Sequence, residues 1–252
     1  MGERIKVLDL FSGIGGMSLG LKRTGGFRTV SFCEIDPFCQ RVLATHWPEV
    51  PISHDITTRE FVEGEADFIT AGFPCQDASS AGNRSERAGI AGARTGLFRE
   101  VVRAIRVVRP IGVLLENVAA LLNRGMGTVL GSLAESGYDA EWDCIPAAAV
   151  GAPCLRDRLV IVAEPDSEGR KRITQRNVFA QAGISPPRRH HVDGLDLAEN
   201  GTWSALPEPI RVDYGIPGVL DRLRACGNAF HPTIPEMIGR ASLGSQGGSG
   251  NG

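Results

Sequence analysis

The feature that most constrains this chain is one pattern repeated along it. A short apolar run ends at a glycine or an acid, and a stretch with helical apolar spacing follows. IKVLDLF (5–11) leads through SGIGG into MSLGLKRTG, and FRTVSFCEI (27–35) leads into PFCQRVLATHW (37–47). ISHDI (52–56), DFITAG (67–72) and IGVLLEN (111–117) are further apolar runs. The stretch LFREVVRAIRVVRP (97–110) precedes the last of these, MGTVLGSLAESG (126–137) follows it, and YDAEWDCI (138–145) and DRLVIVAE (157–164) read as two later strands. Strands this apolar are buried on both faces, and strands alternating with helices form a parallel sheet covered by helices on each side. The expected class is therefore α/β, with a Rossmann-like sheet.

The grammar fails after Pro165. Residues 165–217 are rich in Pro, Gly, Arg and Asp and have little periodicity, which predicts a small irregular region beside the main domain. Regular pattern returns in VLDRLRACGNAFHPTIPEMIGRASL, so 1–164 and 218–243 are read as one domain, and the tail GSQGGSGNG (244–252) as disordered. At 252 residues the chain is long enough for a substantial core. It contains no apolar run of the ~20 residues a membrane helix needs, and no secretory pattern opens it, so a cytoplasmic protein is expected.

The six cysteines, at 33, 39, 75, 144, 154 and 226, form no close C-x-x-C pair. That spacing argues against zinc, and a chain of this size needs no disulfide staples. Most of these cysteines are expected to be small buried hydrophobes. The net charge of −2 does not mark a nucleic-acid binder, but its distribution is uneven. Residues 169–191 carry six Lys/Arg, two His and no carboxylate, a block that attracts phosphate or is simply a solvated loop.

Candidate chemistry gathers where strands end. Gly13, Gly15 and Gly16 lie between a strand and a helix, a turn that admits a nucleotide-like cofactor or serves strand–helix packing. Glu34 ends the next strand 21 residues after Gly13, where an acid can take ribose hydroxyls. The spacing is not G-x-G-x-x-G and no phosphate-gripping Lys follows, which favours an adenosine cofactor without phosphates, such as S-adenosylmethionine. Asp55 ends the third run, either to accept from an adenine amino group or to cap a helix. Cys75, stiffened by Pro74, follows the fourth run, and Glu116 closes the fifth. A strand-end thiol beside a strand-end carboxyl is a nucleophile and acid pair.

The ordered set of these segments resembles the C5-cytosine DNA methyltransferase family. The matching stretches are DLFSGIGG, E-I-D (34–36), HDI, GFPCQ, RTGLF (94–98), ENV, R-D-R (156–158) and RLRACGNA (222–229). The resemblance implies that Cys75 adds to C6 of a flipped cytosine, that Glu116 contacts its N3 and N4, and that Arg156 and Arg158 lie close by. It implies S-adenosylmethionine held by Phe11, Gly13, Gly15, Gly16, Glu34, Asp55, Ile56, Pro74 and Asn228. It implies duplex DNA contacted by Gln76, Ser79, Ser80 and Arg84, with Arg170, Lys171 and Arg172 of the basic block, and 165–217 as the target-recognition region. No metal is implied. The expected protein is a prokaryotic or phage monomer, with a cognate restriction endonuclease as partner where one exists. An RNA methyltransferase on the same scaffold, or a cofactor-bound regulator without catalysis, are the competing classes. Three departures stand out: Cys154-Leu155 before R-D-R, Ala78 after PCQ, and Phe230-His231 in the last segment.

Overall fold

A computed structural model describes residues 3–74, 95–150, 157–166, 178–183 and 228–244. Its frame is a seven-stranded sheet in the order β3-β2-β1-β4-β5-β7-β6. The strands are β1 (Ile5–Leu10), β2 (Phe27–Cys33), β3 (Ile52–Ser53), β4 (Phe68–Gly72), β5 (Gly112–Val118), β6 (Tyr138–Pro146) and β7 (Asp157–Pro165). The described helices are α1 (Gly16–Arg23), α2 (Pro37–His46), α3 (Phe98–Val108), α4 (Leu121–Arg124), α5 (Met126–Glu135), α6 (Val178–Gln181) and α7 (Thr233–Gly244).

The strands and the long helices lie close to where the apolar runs place them. The sheet departs from the all-parallel expectation at one strand. β1 to β5 pair in parallel, whereas β7 runs antiparallel to both β5 and β6. The crossover after β5 leaves one place empty, and the β6–β7 hairpin turns back to fill it. Residues 157–164 are apolar enough for a buried central strand, but composition says nothing of direction. β3 is also shorter than the run 52–56, because the chain turns at Asp55.

Alternation along the strands separates two cores. Leu8, Leu10, Ile69, Val113, Leu115 and Ile161 face α3 and α5, meeting Val101, Ile105, Val129 and Leu133. Val7, Phe68, Leu114, Val160 and Val162 face α1 and α7, meeting Met17, Leu21, Ile234 and Ile238. Helices thus cover both faces, as the sequence predicts. α6 falls inside the aperiodic region, yet its Val178 and Phe179 are buried in the second core and the Val178 N–H donates to Glu141 of β6 at 3.0 Å. The rest of 165–217 beyond Asp166, apart from 178–183, and residues 245–252 lie outside the described residues, while Gly244, expected in the disordered tail, is the last residue of α7.

The α1 side is packed through missing side chains. A Cβ on Gly16 would lie 2.3 Å from the Phe230 carbonyl oxygen, and one on Gly20 would lie 2.1 Å from that of Pro232. The glycines let the backbone of 230–232 rest directly on α1. Cys33 and Cys39 are buried and Cys144 is half-buried, all free thiols. Burial pushes the Cys33 thiol up to about 11 and raises that of Cys144, so neither is a nucleophile at neutral pH.

Candidate active site

The C-terminal ends of β1, β2, β4 and β5 converge on one edge, where open α/β sheets bind ligands. On the β1–β2 side the chain turns sharply after Leu10. Phe11 has φ of 52°, in the left-handed region uncommon for a bulky residue, and Gly13 and Gly15 follow at 54° and 84°. The Ser12 hydroxyl donates to the Asp9 carbonyl at 2.6 Å and holds the turn. The glycines have different uses. A Cβ on Gly13 would meet nothing within 4 Å, whereas one on Gly15 would press on the Trp47 ring at 2.8 Å. Gly13 therefore opens onto space, while Gly15 and Gly16 serve the turn and packing against Trp47 and Phe230.

Glu34 lies one residue beyond β2 and bridges two turns. Its Oε2 accepts the Gly13 N–H at 2.7 Å and its Oε1 accepts the Asp36 N–H at 2.8 Å. Asp36 caps α2 by accepting from Phe38 and Cys39. Between the two acids, Ile35 is 69% exposed, an unusual place for a large apolar side chain. The sequence reading passed over Ile35; an isoleucine between two strand-end acids was the available signal.

Asp55 is half-buried in the turn after β3. Its Oδ1 accepts the Thr57 N–H and the Thr57 hydroxyl, both at 2.8 Å. These two bonds, the backbone one first, hold its carboxyl below the usual range. The side chain of Ile56 belongs to the core, 5% exposed, so the implied cofactor contact cannot come from that side chain. Asn228 is exposed just ahead of Phe230, whose carbonyl abuts Gly16.

On the other side of the crevice β4 ends at Gly72, paired in register with Glu116 of β5. A Cβ on Gly72 would come within 3.3 Å of the Glu116 carboxylate and 3.5 Å of the Met17 methyl. β5 pairs with β7 so that Glu116 opposes Val160 and Val118 opposes Arg158. Glu116 and Arg158 are thus diagonal neighbours on the same face. Arg158 Nε lies 2.5 Å from Glu116 Oε1, and the two side chains are only 16% and 12% exposed. A largely buried carboxylate held by a guanidinium is fixed in place, with its second oxygen beside Gly72.

Asn117 alternates to the opposite face and is 3% exposed. Its Nδ2 donates to the Phe73 carbonyl at 3.0 Å while its Oδ1 accepts the Val118 N–H at 2.8 Å. The carboxamide ties the end of β4 to β5 just before Pro74. Phe73 in turn packs on Phe98 of α3, ring centroids 4.9 Å apart. Sequence reasoning quoted ENV without giving Asn117 this work, although a polar residue inside an apolar strand was its signal. Cys75, Gln76, Ser79, Ser80, Arg84, Arg156, Arg170, Lys171 and Arg172 lie outside the described residues. Among the described residues no cluster of His, Cys, Asp and Glu could hold a metal ion, and no helix is long and apolar enough to cross a membrane.

Comparison with known proteins gives this crevice a lineage. Type II methyltransferase M2.BsuMI of Bacillus subtilis strain 168 is 40% identical over 168 residues, 63% of this chain and 42% of that protein. Type II methyltransferase M.CviJI of Paramecium bursaria Chlorella virus IL3A is 33% identical over 221 residues, 83% of this chain and 58% of that protein. The chain spans about half the length of such relatives. Among solved structures, S. pombe Dnmt2 methyltransferase superposes with a TM-score of 0.55 at 21% identity, covering 71% of this chain and 54% of that one. That likeness is one of fold. The family pattern for C-5 cytosine-specific DNA methylase matches residues 5–191, which include both sides of the crevice and the strands that position it. By that match the chain belongs to the C-5 cytosine-specific DNA methylases.

Proposed function

We propose that the chain methylates C5 of cytosine in duplex DNA with S-adenosylmethionine as donor. One observation carries the reading: Glu116, clamped by Arg158, faces the end of the strand that leads to Cys75, beside the Glu34–Gly13 turn. The residues fit the cofactor. Gly13 leaves open space, Glu34 holds a carboxylate against the Gly13 N–H, Ile35 offers an exposed apolar surface for a ring, and Asp55 is half-buried one strand away. Phe11 lies in the same turn, and Asn228 comes two residues before Phe230, whose carbonyl abuts Gly16. When bound, S-adenosylmethionine supplies an electrophilic methyl on a sulfonium.

The chain's own residues make the target carbon reactive. The Cys75 thiolate adds to C6, which breaks ring aromaticity and moves electron density onto C5. Glu116 contacts N3 and N4 and stabilises charge developing on the ring, with Arg158 holding the carboxyl in place. The resemblance assigns Arg156, two residues before Arg158 in sequence, to the same group. Loss of the C5 proton to a base then expels the thiolate and restores the ring. Because a base inside a duplex cannot be reached, the cytosine must be extruded at a cost of a few kcal/mol. Gln76, Ser79, Ser80 and Arg84 follow Cys75 and take the DNA side of this arrangement. The Type II names of bacterial and viral relatives support a place in restriction–modification, with a cognate endonuclease as partner.

The test is methyl transfer from labelled S-adenosylmethionine to duplex DNA and to tRNA. Label in duplex DNA at C5 is expected, and Cys75→Ser should lower the rate on the order of a thousandfold or more while cofactor binding persists. Transfer to tRNA alone would replace DNA as substrate, and wild-type rates in Cys75→Ser would remove the covalent mechanism.

A further inference from the structure

We propose that Arg103 of α3 is a positioning residue for the cofactor, through the turn that carries Asp55; the inference rests on the S-adenosylmethionine reading above. Residues 55–59 form a single turn, with the N–H groups of Thr58 and Arg59 both donating to the Asp55 carbonyl. A lone turn of this kind leaves its later carbonyls without internal partners. Arg103 supplies them. Its two terminal nitrogens donate to the carbonyls of Ile56 at 2.7 Å and Arg59 at 2.9 Å, while Nε is held by Glu100 at 2.7 Å.

The same guanidinium lies 4.7 Å from the centroid of the Phe61 ring. Arg59 lies 5.3 Å from that ring, bonds Ser53 of β3, and pairs with Glu65 at 3.0 Å. Two guanidiniums on one aromatic ring bind the segment 53–65 as a unit. Arg103 connects that unit to α3, whose first residue Phe98 packs on Phe73 at the end of β4. Asp55 is half-buried, and among the described bonds its carboxylate reaches only Thr57, so its location depends on the turn beneath it. Among the described contacts, Arg103 is the group that references this turn to the helix that also braces β4.

The experiment uses the full chain and measures S-adenosylmethionine affinity by calorimetry together with amide hydrogen exchange at 57–59. Arg103→Met keeps the stem but removes three charge-assisted bonds, so affinity should fall about tenfold and exchange at 57–59 should quicken by a similar factor. Turnover at saturating cofactor should stay within about twofold, because Arg103 touches no reacting atom. Arg103→Lys, with a single point charge, should recover part of both effects. Arg106→Met, on the same helix but paired at the surface with Glu135, should change neither. If Arg103→Met fails to fold, Phe61→Leu serves in its place, since it removes the ring and leaves the bonds. Faster exchange with unchanged affinity would overturn the proposal, as would equal losses in Arg106→Met. A wild-type chain that binds no S-adenosylmethionine would instead overturn the functional reading, and Arg103 as a cofactor-positioning residue would fall with it.

Discussion

Asp9 is a carboxyl in the middle of β1, 1% exposed, and it is fully engaged. The hydroxyls of Ser18 and Thr70 donate to its two oxygens at 2.6 and 2.7 Å, and Thr29 donates to Ser18 at 2.9 Å. Burial still dominates and pushes its pKa up to about 7, against the hydroxyl bonds that lower it. A carboxyl whose folded pKa stands above its unfolded value contributes stability that is full below the unfolded value and lost as pH rises through the folded one. Between pH 5 and pH 8 the protein should therefore lose about 2–3 kcal/mol that Asp9→Asn does not lose. Thermal melts of both proteins across that range check this; parallel curves would mean that Asp9 is already ionised at pH 5. The residue scale also shows what a sequence can and cannot display. Glu34 and Glu116 were legible because an acid after an apolar run has few other uses. Arg158 was legible as a site residue only by resemblance, its bond to Glu116 was not legible because it depends on the direction and register of β7, and Arg103 and Phe61 were not legible at all. The carbonyls that Arg103 bonds lie 44 and 47 positions before it, and no local pattern encodes such pairs.

At the scale of elements, α1 and the segment before α7 are joined by the absence of side chains. Gly16 and Gly20 lie four apart on one helix face, each under a backbone carbonyl. Gly16→Ala places a methyl at 2.3 Å from the Phe230 oxygen, a rigid neighbour that can yield only by moving the backbone. Destabilisation of ~1–3 kcal/mol is expected, read from the urea midpoint at unchanged slope. The strands were legible as elements because buried runs are punctuated by Gly, Pro and acids. α6 was not, because Val178-Phe179 is too brief for periodicity to register. Its burial is decided by β6 and α7, which lie far from it in sequence.

At the scale of the whole molecule, α6 anchors the centre of the basic block to the seven-stranded sheet, with Arg170, Lys171 and Arg172 on one flank in sequence. If that flank runs along the phosphate backbone, neutralising all three should reduce the slope of log K against log salt by about two to three units, equally on cognate and non-cognate duplexes. An unchanged slope would make the block a solvated loop. The strand order carries one more consequence, for the ribosome. Among the described strands β7 is the last to be made but lies between β5 and β6, so β5 keeps a bare edge until residue 165 has emerged. Glu116 is synthesised about forty residues before Arg158, an interval of some seconds at ~5–20 residues per second. The nascent chain therefore passes through a stage that is both adhesive and without its acid–arginine pair, and insertion of one strand ends both conditions together.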